Sequence, residues 1–171
     1  MLNIQPSMIK NIAISASPFL ISLPFTVLDV NKFEKDNDKA LWQPPGYVFG
    51  IVWPLLYISL FYMNYSILTN PKISEGLKKI IARDTLIESG LQGLWLYIFR
   101  FNEQVKGRTN NQYFFGMITL LSLLCFGVYR ISILIKSEVR QYLYNYLPYF
   151  IWINFASILG YQLFMGITKK V

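Results

Sequence analysis

Two stretches of this chain, 46–68 and 147–167, run their full length without a charged residue. A helix needs roughly 20 largely apolar residues to cross the hydrocarbon core of a bilayer, and each stretch is long enough. A soluble domain would have to wrap both inside one core. Further apolar runs cover 11–30, where Pro18 and Pro24 interrupt, 84–101, which carries Glu88, and 113–135, broken by Arg130. Prolines inside a span are tolerated where neighbouring helices re-satisfy the freed carbonyls. The connections between the runs, 31–45, 69–83, 102–112 and 136–146, suit antiparallel neighbours. The expected fold is an all-α membrane protein, a five-transmembrane-helix bundle forming one domain over residues 1–171, with an integral, multi-pass location.

Composition agrees. Apolar residues make up 54% of the chain, above the roughly 45–50% of soluble domains. Many of the 12 Tyr and 4 Trp fall near run ends, the depth that amphipathic rings favour. The net charge of +7 is spread over tails and connections rather than gathered into a basic stripe. That excludes nucleic acid as the natural partner and points to anionic lipid headgroups. With five spans the 16 Lys and Arg divide equally between the two sides, so the positive-inside rule assigns no orientation.

Absences narrow the chemistry. There is no His and a single cysteine, Cys125, so the commonest general base is missing and no cysteine-based metal site or internal disulfide can form. No nucleotide-binding or serine-nucleophile signature is present. No metal site, no required cofactor and no ordinary catalytic residue is expected. Of the nine acidic residues, Glu88 stands out, because an ionisable group within a span is costly and often functional. Its nearness to Asp84, at the run's end, instead predicts that it reaches the interface, and Arg130 is expected to snorkel in the same way.

The second run opens Trp42-Gln-Pro-Pro-Gly46 and places Phe49, Trp53 and Tyr57 four residues apart, on one helical face. In the fifth run Pro148 suits a first-turn position. There Trp152, Ala156 and Leu159 form a stripe in which a large ring sits beside a small residue. Such a notch accepts either a flat apolar ligand or the side of another helix. Gly46/Gly50 and Ala156/Gly160 are small-residue pairs of the kind that admit a partner helix.

These two stretches together resemble the TspO/MBR (translocator protein) family. The run from Trp42 to Tyr57 looks like its second-span signature, W-x-P-P-x-x-V-F-G-x-V-W-x-x-L-Y, and Pro148 to Leu159 looks like its fifth-span signature. In the third run Glu88, Gln92, Trp95 and Phe99 keep the spacing of the family's Q-x-x-x-N-x-x-W-x-x-x-F while changing both polar residues. Gly160 replaces the family's Asn. The resemblance implies a five-helix bundle, often a homodimer, with a pocket beneath the first connection, itself a candidate lid. It implies as ligand a tetrapyrrole such as protoporphyrin IX or haem, or another hydrophobic small molecule such as a sterol. The protein would then be a carrier, sensor or regulator of that ligand's traffic. The pocket residues carried over are Phe49, Trp53, Trp95, Phe99, Trp152, Ala156 and Leu159, with Trp42 at the rim. If light-dependent porphyrin breakdown also carries over, Trp53 and Trp152 are its residues. A third reading is a membrane assembly protein using the small-residue faces, its pocket drifted at Glu88, Gln92 and Gly160.

Overall fold

The computed structural model describes residues 6–26, 39–100 and 110–169. Five long helices account for most of them: α1 (Pro6–Thr26), α2 (Gly46–Thr69), α3 (Glu75–Arg100), α4 (Asn110–Lys136) and α5 (Leu143–Phe164). A short 3-10 turn at Arg140–Tyr142 leads into α5, and β1 (Lys39–Ala40) pairs with β2 (Thr168–Lys169). Around the bundle the helices follow the order α1, α3, α4, α5, α2, with α2 also touching α3. Three segments, Gly46–Thr69, Asn111–Lys136 and Arg140–Phe164, are long and apolar enough to cross a membrane on composition alone.

The other two helices, over their described residues, carry polar residues on their inner faces. On α3 the residues Asp84, Thr85, Glu88, Ser89 and Gln92 are all buried, while Leu86, Ile87, Leu94 and Tyr97 are exposed. On α1 Ser15, Ser17 and Ser22 are buried together with Pro18, and Ile9, Phe19, Leu20 and Leu23 lie outside. In water this arrangement would be inside-out. In lipid it is the favourable one, since apolar side chains meet acyl chains and polar groups find partners within the protein. The fold is that of a helical membrane protein.

The structure extends one sequence-derived expectation and corrects two. First, α3 begins at Glu75, a full two turns before the apolar run at 84–101, because charged residues such as Lys78 and Lys79 carry a helix beyond the hydrocarbon. Ser74 heads it: its hydroxyl accepts from the Leu77 N–H (3.4 Å), and its own N–H donates to Glu138 (2.9 Å). Second, Pro148 is not in the first turn of α5 but inside it. Its ring removes the bond to the Tyr144 carbonyl, and the next carbonyl, that of Asn145, accepts from the Ser59 hydroxyl of α2 at 2.9 Å. Third, Ala156 and Gly160 face this bundle's own interior and not a partner helix. Ala156 is buried, and a Cβ on Gly160 would lie 2.8 Å from Leu120 of α4.

Two further glycines sit where helices approach closely. A Cβ on Gly93 would meet Ile21 of α1 at 2.4 Å, and one on Gly127 would meet the Phe150 ring at 2.6 Å. Gly50, by contrast, has nothing within 4 Å. Gly127→Ala is therefore expected to destabilise the bundle by about 1–3 kcal/mol through overpacking. Gly50→Ala should leave stability unchanged or raise it by up to about 1 kcal/mol, through helix propensity alone. Parallel thermal melts in detergent check the pair, and equal melting of the two variants would refute the packing assignment.

Candidate functional site

Helical periodicity assembles an aromatic cluster from three helices. Trp53 on α2 is its hub: it stacks on Tyr57 (centroids 5.5 Å apart, planes at 27°) and meets Trp95 of α3 at 6.3 Å. It also meets Trp152 and Tyr149 of α5 edge-on, at 6.3 and 6.5 Å. Phe49 lies one turn before Trp53 and contacts Trp152 at 5.6 Å. These rings are partly or fully buried; Tyr149 belongs to the main core, and Trp53, Trp95 and Trp152 pack against it.

Of the residues singled out from the sequence, Phe49, Trp53, Trp95 and Trp152 thus come together. Ala156 belongs to the main core, whereas Leu159 joins a second cluster with Ala40, Tyr113 and Leu163, against which Phe49 also packs. Trp42 is 61% exposed; its backbone N–H donates to Gln162 Oε1 at 3.1 Å. The Phe99 side chain and residues 31–38 of the candidate lid lie outside the described residues, as do 102–109 of the third connection.

Several polar atoms converge on the cluster. The Gln92 amide donates to the Tyr57 hydroxyl. Gln92 Oε1, the Tyr149 hydroxyl and Trp152 Nε1 are buried and have no protein partner among the described residues. Tyr57 and Tyr149 were recoverable from spacing, since Tyr57 ends the Phe49–Trp53 stripe and Tyr149 precedes Trp152 by one turn. A separate groove of about 540 Å³, between Leu94 and Ile98 of α3 and Phe115, Ile118 and Thr119 of α4, shares no lining residue with the cluster.

One level along the bundle lies a feature that overturns two expectations. Glu88 and Arg130 neither reach the interface nor snorkel; they pair with each other inside. Arg130 is 0% and Glu88 5% exposed, and Arg130 Nη1 donates to Glu88 Oε2 at 3.0 Å. Arg130 Nη2 donates to Asn64 Oδ1 of α2 (2.6 Å) and to the Thr85 hydroxyl (2.9 Å). The Tyr146 hydroxyl of α5 donates to Glu88 Oε1, and the Arg130 guanidinium lies 5.4 Å from the Tyr146 ring centre. Four helices therefore meet at one charge pair. Neither residue alone signals this, because a lone charge in an apolar run looks the same whether it points outward or inward.

A five-helix bundle with an apolar exterior, an ionic centre and an aromatic cluster defines a helical integral membrane protein. The sequence profile of the TspO/MBR family matches residues 13–165, nearly the whole chain. The chain belongs to the TspO/MBR family. Comparison with curated proteins returned no match.

Removing one member of a buried pair strands the other charge, at a cost of about 3–5 kcal/mol. Arg130→Met should accordingly lower the melting temperature sharply, and adding Glu88→Met to it should restore part of the loss. Thermal melts of both variants in the same detergent provide the check, and a double variant no better than the single one would count against pairing.

Proposed function

We propose that this protein binds a planar hydrophobic small molecule of the tetrapyrrole class and acts as a carrier, sensor or regulator of its traffic. The carrying observation is Trp53, surrounded by four aromatic rings from its own helix and two others. Faces of this kind stack on a conjugated macrocycle. Ligand sites pair apolar walls with a few polar groups that fix orientation. Trp152 Nε1–H offers a donor, Gln92 Oε1 an acceptor and the Tyr149 hydroxyl either. All three lack protein partners among the described residues. A pyrrole N–H and a carboxyl or carbonyl oxygen match such a set, whereas an alkane has nothing to offer it. Family membership supports the same reading.

Protoporphyrin IX added to the protein in nanodiscs is expected to quench tryptophan emission saturably, with a Kd on the order of micromolar. Trp53→Phe combined with Trp152→Phe should weaken binding about tenfold or more, which corresponds to at least about 1.4 kcal/mol. Because the substitutions remove reporters, affinity in the double variant is followed through porphyrin absorbance. Unsaturable quenching, or unchanged affinity in the double variant, would sink this assignment.

A further inference from the structure

The ion pair and the aromatic cluster are joined by a polar file along α3. Asp84, Glu88 and Gln92 recur every four residues, so each step advances about 6 Å along one face, and all three are buried. The file opens at Arg83. Its guanidinium bonds Asp84 Oδ1 at 2.7 Å, its side chain is 57% exposed and that of Asp84 is 0% exposed. Beyond Asp84 come Thr85, which donates to Asn64 Oδ1 at 3.0 Å, and then Glu88 with Arg130 and Tyr146. The Tyr146 ring lies 5.7 Å from that of Tyr149, which contacts Trp53. Gln92 ends the file at Tyr57 in the cluster.

Four atoms set along this route have no protein partner among the described residues: Asp84 Oδ2, Arg130 Nε, the Tyr149 hydroxyl and Gln92 Oε1. Dry packing would leave each of them desolvated. Buried polar atoms in folded proteins are met by protein or by internal water, and internal water settles where several polar groups converge. The neighbouring side chains of Leu60, Met63 and Ile67 are equally buried but apolar, and offer water no strong hydrogen-bonding partner.

We propose that Asp84, Glu88 and Gln92 line a hydrated file that carries water and protons from the membrane face at Arg83 to the aromatic cluster, with Glu88 as the proton-exchanging group. Ionisable residues inside a membrane bundle are the usual components of proton relays. The groups facing Glu88 suit that role. Arg130 of α4 stabilises the carboxylate, and Tyr146 of α5 donates to it. Tyr149 of α5 and Asp84 of α3 are the next titratable groups. From α2 come the neutral Asn64 and the Tyr57 phenol; α1 contributes the uncharged Ser17, through Ser89 at 2.9 Å. When Glu88 takes up a proton from the file, Arg130 keeps the Asn64 and Thr85 oxygens as acceptors, and water in the file solvates the charge that the neutralised carboxyl no longer balances. The file ends at the cluster and does not cross the bundle, so it gives the site proton access from one face. It is independent of which ligand the cluster takes.

Two ligand-free measurements on the full chain in nanodiscs test this. Brief radiolysis oxidises side chains beside bound water even when they are buried. Tyr146 and Tyr149 should be labelled while Met63, intrinsically the more reactive type, stays unlabelled. Equal silence at all three would overturn the file. Infrared difference spectra of wild type minus Glu88→Gln should contain a carboxyl band on acidification that shifts within seconds of transfer to D2O. A band that shifts only on unfolding would overturn Glu88 as the exchanging group. Should Glu88→Gln fail to fold, Asp84→Asn leaves the ion pair in place; it should slow the wild-type exchange severalfold, and an unchanged rate would refute entry at Asp84.

Discussion

Glu88 and Arg130 are held together by the absence of any alternative. Neither charge can leave the bundle without entering lipid, and burying either one alone is prohibitive. Their pairing fixes the facing of α3 and α4. The remaining lone pairs and N–H groups then draw in Asn64 from α2 and Tyr146 from α5. Rotating any of these four helices by a fraction of a turn breaks a charge-assisted hydrogen bond, whereas sliding apolar side chains past one another against acyl chains costs little. The ionic contact therefore supplies the register that hydrophobic packing in a membrane lacks.

The aromatic cluster inherits its geometry from this register. Tyr146 is in ring contact with Tyr149, and Tyr149 with Trp53, so the orientation of α5 is passed from the charged level to the ring level within about one helical turn. On α3 the step from Glu88 to Gln92 does the same for Trp95. A site of large, flat side chains needs such support, because rings that touch edge-on can slide with little penalty.

Much of this architecture was legible in the sequence. The uncharged runs at 46–68 and 147–167, and the recurrence of Phe49, Trp53 and Tyr57 at every fourth position, lead directly to helices and to the ring cluster. Helix ends were less legible. Hydropathy reports where lipid begins rather than where hydrogen bonding stops, so it does not reveal that α3 starts at Glu75 or that Pro148 lies inside α5. Least legible was the interior polar level. Asn64, Glu88, Arg130 and Tyr146 come from four helices with no shared local pattern, and their meeting depends on the order in which the helices close the ring. Ala156 and Gly160 were ambiguous for a related reason: a small residue admits a neighbour without saying whose.

The antiparallel pair of β1 and β2 holds only two residues on each side, Lys39 opposite Lys169 and Ala40 opposite Thr168. It is extended by Leu41 N–H to the Ile167 carbonyl at 3.2 Å and by Trp42 N–H to Gln162. So short a ladder has almost no stability of its own. It persists because α2 and α5 deliver its strands to the same place, so its hydrogen bonds act as a gauge of the spacing between the helices that bear Trp53 and Trp152. Backbone amide exchange at Leu41 and Trp42 thus reads out, from the rim, how far apart the two walls of the cluster stand.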